Sequence, residues 1–164
     1  MNLLIKWTAL IMNKKLEISL KIPCLADYVG VVRLAISGVA ARLNFTIDEI
    51  EDIKISISEA CTNAIQHAYG DAPDPEKDFI DIKIYIIEDK LDIIVQDYGK
   101  GFDLSTIGSK EQRIRSKEKM GLGLGLTFIQ SLMDDTNFNS VPGKGTTIQM
   151  KKQSLNFSNT PVST

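Results

Sequence analysis

The hydrophobic patterns of this chain predict an α+β fold, a two-layer α/β sandwich with a mixed, mostly antiparallel sheet and helices on one face. Three observations carry that prediction. Stretches that alternate apolar and polar residues, the period of a strand, come singly once and then in two pairs. Helix-period stretches lie between them in blocks, so strands and helices do not alternate as they would in a doubly wound sheet. The 164 residues, 43% of them apolar, suit one domain with a core of its own.

Leu16, Ile18, Leu20 and Ile22 alternate with Glu17, Ser19 and Lys21 and stop at Pro23, the mark of a half-buried strand. A helix is predicted from about Asp27, a candidate N-cap, to Leu43, with Val31, Leu34, Ala35, Gly38, Val39 and Arg42 running along it. A longer helix opens at Thr46, because Thr46 and Glu49 have the spacing of a capping box. Ile50, Ile53, Ile57, Cys61, Ala64 and Ala68 form its apolar stripe. Glu59, Asn63 and His67 fall on another line, which sets a carboxylate, an amide and an imidazole in a row among small Ala, Ser and Thr residues. A solvated face more often carries Lys and Glu, so the row points to a ligand. His67 itself is read as structural.

Gly70 to Pro75 is a turn-rich break. Alternating strands at Ile80–Ile86 and Leu91–Val95 follow, joined at Glu88-Asp89-Lys90 as a tight hairpin. The second runs into Asp97-Tyr98-Gly99-Lys100-Gly101. Residues 104–120 carry five basic side chains against two acidic ones, and so long a loop reads as a functional lid. Gly121-Leu122-Gly123-Leu124-Gly125 opens a helix to about Met133. The last hairpin pairs Thr136–Val141 with Thr146–Lys151 through Pro142-Gly143-Lys144-Gly145. The domain is expected over residues 13–152. Residues 1–12 read as an extension, with Met12 a candidate start, and 153–164 as a disordered tail.

Composition narrows the function. A formal net charge of −2 gives no global attraction to nucleic acid or membrane, and no apolar run approaches the ~20 residues of a membrane span. Cys24, Cys61 and the single His67 make neither a disulfide framework nor a zinc cluster, so a reducing, cytoplasmic setting is expected. Eight of the eleven glycines lie at or after Gly99, clustered at three turns. A glycine-rich turn opening a helix offers backbone N–H groups to anions. Neither the Gly-x-x-x-x-Gly-Lys-Ser/Thr loop nor a dinucleotide fingerprint is present.

Taken together, Glu59-x-x-x-Asn63, Asp97-x-Gly99-x-Gly101, Gly121-x-Gly123-x-Gly125 and Gly143-x-Gly145-Thr146-Thr147 resemble the N, G1, G2 and G3 boxes of the ATP-binding superfamily shared by gyrase, histidine kinases and MutL, whose fold is of the Bergerat type. Ser58 to Tyr69, with Tyr28-Val29-Gly30 and Arg33 to Ala40 upstream, is similar to its anti-sigma serine-kinase branch, of the RsbW type. The resemblance covers about residues 14–151. It implies ATP and Mg2+ as cofactors, with Asn63 as the metal ligand and Asp97 accepting from the adenine amino group. Gly99 and Gly101 would let base and ribose approach. Gly121, Gly123 and Gly125, with Leu122 and Leu124 between them, would hold phosphates, Lys119 would balance their charge, and Thr146 or Thr147 would back the adenine pocket.

By the same resemblance Glu59 would be the general base toward a serine hydroxyl, and Arg33 a partner contact. The implied function is a protein serine/threonine kinase that doubles as an anti-sigma factor. It would sequester an alternative sigma factor and phosphorylate a STAS-domain anti-anti-sigma protein, as a homodimer contacting neither nucleic acid nor membrane. Two other readings stay open on these motifs: a nucleotide-binding anti-sigma module without kinase activity, and a switch kinase that binds no sigma factor.

Overall fold

Ile80, Ile82 and Ile84 in β2 (Phe79–Ile87) and Leu91, Ile93 and Val95 in β3 (Lys90–Asp97) are buried, while the residues between them are not. Alternation of this kind fixes register, since a one-residue slip would turn the apolar set to solvent. Ile82 accordingly faces Val95, and Ile84 faces Ile93. These strands belong to a computed structural model that describes residues 15–103, 105 and 122–156.

β1 (Leu16–Pro23) pairs with β2, β5 (Gly145–Gln153) with β3, and β4 (Asp135–Val141) with β5, giving the order β1-β2-β3-β5-β4. The sheet was expected to be mixed and mostly antiparallel, and every described pair is antiparallel. The reason lies in the last hairpin. β3 and β4 do run the same way, but β5 is inserted between them, so their parallel relation never becomes a ladder.

Three described α-helices join the sheet to make one core: α1 (Val29–Ala41), α2 (Ile47–His67) and α3 (Leu122–Leu132). Asp27 does not cap α1; it lies within a 3-10 turn, Ala26–Tyr28, that leads into the helix. The buried line of α1 is Val32, Ile36 and Ala40, whereas Val31 and Leu34 are exposed. The stripe expected from Val31, Leu34 and Gly38 is thus off by one position, because α1 is apolar nearly all round and either line satisfies helix periodicity.

The capping box of α2 is formed: the Glu49 N–H donates to Thr46 Oγ1 at 3.2 Å and the Thr46 N–H to Glu49 Oε2 at 2.7 Å. Glu49 Oε1 accepts from the Leu155 N–H at 2.9 Å. Burial alone would raise the Glu49 pKa, but these hydrogen bonds from Thr46 and Leu155 outweigh it and hold the carboxyl below its ordinary value. Residues 153–156, expected to begin the tail, are instead seated. Ser154 is buried and its Oγ donates to the Asn44 carbonyl at 3.0 Å, as does Asn156 Nδ2 at 2.8 Å.

Candidate nucleotide-binding site

α2 packs against both other helices and lies on β3 and β5. Its apolar stripe points into the core, with Ile53, Ile57, Cys61 and Ala64 buried. That orientation turns Asn63 and His67 toward a cleft shared with the ends of β3 and β5, while Glu59, one turn earlier, lies beside Gly125 and outside the cleft lining. Asn63 is 6% exposed and its Nδ2 has no hydrogen-bond partner among the described residues; His67 Nε2 is also buried and has none among them. Burial, and then the charge of Lys100, lower the His67 pKa, so the ring stays neutral. Buried polar atoms left unsatisfied are costly, and two on one wall of a cleft mark a place for a polar ligand.

Asp97 ends β3 and is 5% exposed. Its Oδ1 accepts from the Gly99 N–H at 3.0 Å and the Thr146 N–H at 3.2 Å. Oδ2 has no partner among the described residues. Burial pushes the Asp97 pKa up against those two hydrogen bonds, which pull it down. The slot beside it is apolar. Ala60, Ala64 and Ala68 give a wall without bulk, Val95 and Ile148 come from the sheet, and Phe102 and Phe138 close the rest. The cavity between these side chains is about 10 Å³, room for about one water, so a flat aromatic base would have to spread its walls to reach the acceptor at its end.

The two glycine turns around Asp97 are laced together by backbone. Lys100 N–H donates to Ala68 O at 2.8 Å, and Gly143 N–H to Lys100 O at 2.7 Å. A Cβ on Gly99 would stand 2.2 Å from Ala68 O, so only glycine lets this turn meet the end of α2. Two side chains not recognised in the sequence hold the lacing. Tyr69 OH donates to Phe79 O at 2.7 Å and accepts from Tyr98 N–H at 2.9 Å. Ser140 Oγ accepts from Phe102 N–H at 2.9 Å and lies 2.9 Å from Thr146 Oγ1.

α3 brings the third glycine motif to Glu59 and Asn63. A Cβ on Gly125 would lie 2.9 Å from Glu59 Oε2 and 3.2 Å from Asn63 Oδ1. The first-turn N–H groups of a helix have no intrahelical acceptor and suit phosphate oxygens. Gly123 is buried in this turn and Leu124 is 39% exposed, while the backbone of Leu122 opens it. Lys119 and Gly121 lie outside the described residues.

Thr147 is not in the slot. Strand alternation turns Thr146 and Ile148 inward and Thr147 to the opposite face, across from Gln96. Arg33 is exposed on α1, outside the slot. No group of three or more His, Cys, Asp or Glu among the described residues could hold a metal. A hard cation here would rest on the Asn63 amide oxygen, phosphate oxygens and water, which fits Mg2+. No described helix is long and apolar enough to cross a membrane.

Comparison with known proteins agrees with this geometry. The profile of the histidine kinase-like ATPase domain matches residues 22–152. The serine-protein kinase RsbW of Bacillus velezensis is 41% identical over 139 residues, 82% of this chain and 84% of its own length. RsbW of Staphylococcus aureus is 40% identical over 144 residues, 85% of this chain and 88% of its own. Among solved structures, the RsbU and RsbW domains of a Mycobacterium tuberculosis protein superpose with a TM-score of 0.61 at 19% identity, over 85% of this chain and 32% of that one. The SiaB-SiaC complex of Pseudomonas aeruginosa gives 0.52 at 13%, over 93% of this chain and 98% of that one. At these identities the structures speak for the fold alone.

Proposed function

The chain belongs to the histidine kinase-like ATPase family, among the RsbW serine-protein kinases, and on that premise we propose that it moves the γ-phosphoryl group of ATP to a serine of a STAS-domain anti-anti-sigma protein. The observation that carries this is Glu59, one helical turn before Asn63 on α2, with both side chains against Gly125 at the start of α3. A module that only held nucleotide would have no use for a carboxylate beside the phosphates.

Adenine enters the apolar slot and gives its amino N–H to Asp97 Oδ2, which is left over after Oδ1 has bound the backbone. Guanine carries a carbonyl at that position and would oppose the carboxylate. The amides of the first turn of α3 receive the phosphate oxygens, and Lys119 balances their charge. Mg2+ on the Asn63 oxygen would neutralise phosphate charge. Glu59 orients the incoming serine hydroxyl and takes its proton as the serine oxygen bonds to phosphorus and ADP departs. Transfer of this kind depends on position and charge more than on a strong base.

The same chain sequesters an alternative sigma factor, with Arg33 on the exposed side of α1 as a contact, and its two partners compete. It works in the cytoplasm as a homodimer and touches neither DNA nor membrane. Intact-mass spectrometry of a cognate STAS protein incubated with the chain and Mg-ATP tests the kinase. One phosphate on a STAS serine with wild type, and at least roughly a hundredfold slower addition with Glu59→Gln, is the expected result. No phosphate from wild type that binds ATP would leave sequestration alone.

A further inference from the structure

β2 and β3 stay in register up to the pair Ile80 and Asp97. One position further, the same register sets Phe79 opposite Tyr98. Successive residues of an antiparallel strand turn their backbone groups to alternate sides. Asp78, just before β2, turns its carbonyl toward β1 and accepts from the Cys24 N–H at 2.9 Å, so the Phe79 carbonyl points toward β3. The next rung of the ladder would therefore join Phe79 O directly to the Tyr98 N–H. The hydroxyl of Tyr69 stands in that rung instead. It donates to Phe79 O at 2.7 Å and accepts from the Tyr98 N–H at 2.9 Å.

A rung relayed through an oxygen is wider than a direct one, so β3 parts from β2 immediately after Asp97. The chain then bends toward the end of α2, where the Lys100 N–H donates to Ala68 O at 2.8 Å. Ala68 and Tyr69 are consecutive, so this one end of α2 grips the turn on both sides of Gly99. The Gly99 N–H in turn is one of the two groups that fix Asp97 Oδ1, at 3.0 Å. The Tyr69 ring packs against the core, which gives its hydroxyl a firm base. Burial raises the Tyr69 pKa, and the phenol keeps the proton that it donates to Phe79 O.

We propose that Tyr69 is a positioning residue for nucleotide selection: its hydroxyl, inserted in the last rung between β2 and β3, aims the Asp97 carboxylate and thereby sets the preference for adenine over guanine. This rests on the adenine contact proposed above for Asp97. Without the hydroxyl, Phe79 O and the Tyr98 N–H either close on each other or stay unpaired. Both outcomes carry the Gly99 N–H away from Oδ1 and turn the carboxylate.

Calorimetry with Mg-ATP and Mg-GTP on the full chain tests it. Tyr69→Phe keeps the ring and removes one oxygen, and circular dichroism confirms that it folds. Its affinity for ATP should fall at least roughly tenfold while that for GTP holds, so the preference for ATP shrinks by the same factor. Added to Asp97→Asn, the same change should weaken ATP binding by no more than about twofold, because a residue that acts through Asp97 has nothing left to aim. A measurement on wild type needs no variant: the Tyr98 amide should exchange its hydrogen slowly although the residue is 55% exposed. Rapid exchange there would overturn the inserted rung. Equal losses for ATP and GTP, no loss of either, or losses that multiply in the double variant would overturn the part of Tyr69 and leave the adenine contact standing. A wild type with no preference for ATP over GTP would overturn both.

Discussion

Asp97 gives Oδ1 to the backbone and leaves Oδ2 without a partner among the described residues, and that division makes the proposed adenine contact testable. Asp97→Asn keeps a carbonyl oxygen for the Gly99 and Thr146 N–H groups but turns an N–H2 toward the adenine amino group. A hydrogen bond to a charged acceptor contributes about 1.5–3 kcal/mol, so ATP affinity by calorimetry should fall roughly tenfold to a hundredfold, with the fold intact. His67 gives a pH signature. Its folded pKa is lowered by burial and Lys100, so its contribution is present above the ordinary histidine value. It is lost as pH falls through the folded value, where the unfolded chain binds a proton that the folded chain resists. Between pH 7 and pH 5 the urea midpoint of wild type should therefore drop more than that of His67→Gln. The row of Glu59, Asn63 and His67 was legible because spacing on a helix fixes a shared face. The part played by His67 was not, because its position on the slot wall depends on the sheet beneath it.

Gly99 and Gly125 occupy different kinds of junction, and at the scale of elements they should fail differently. The neighbour a Cβ would strike at Gly99 is the backbone of Ala68, 2.2 Å away, which cannot turn aside. Gly99→Ala should pull the end of α2 from β3 and lower thermal stability together with ATP binding. At Gly125 the neighbours are the side chains of Glu59 and Asn63, which can rotate. Gly125→Ala should leave the melting temperature within a few degrees while slowing phosphoryl transfer roughly tenfold or more, since small displacements of positioned groups are expensive in rate. The glycine motifs could be read from the sequence because each is local. Tyr69 and Ser140 could not: Tyr69 grips Tyr98 at a separation of 29 residues and Ser140 grips Phe102 at 38. The misplaced stripe of α1 has another cause, a helix apolar on both candidate lines. Thr146 and Thr147 were separated only by the register of β5.

Across the whole molecule, contacts between the two ends of the domain matter as much as the core. Ser154 reaches Asn44 across 110 residues, and Leu155 reaches Glu49 across 106. Ending the chain after Gln153 removes these ties and leaves the α1–α2 turn without them. The expected loss is about 2 kcal/mol in urea denaturation, with the slot beside Asp97 unaffected because it lies at the other end of β3. The α+β class and the order of elements were legible in the periodicity. The purely antiparallel sheet was not, because insertion of β5 between β3 and β4 is a choice of neighbours that no local pattern records.

That inserted strand bears on how the protein is born. β5 lies between two neighbours in the sheet, yet of the described strands a ribosome makes it last. Asp97 must wait for Thr146, 49 residues downstream, before both of its backbone hydrogen bonds exist. Until then β3 keeps an unpaired edge, and every other element of the nucleotide site is already synthesised. Such late, non-local closure is slow relative to local folding and leaves an exposed edge while it lasts. The wall that holds Asp97 in place is therefore completed only when the final hairpin docks.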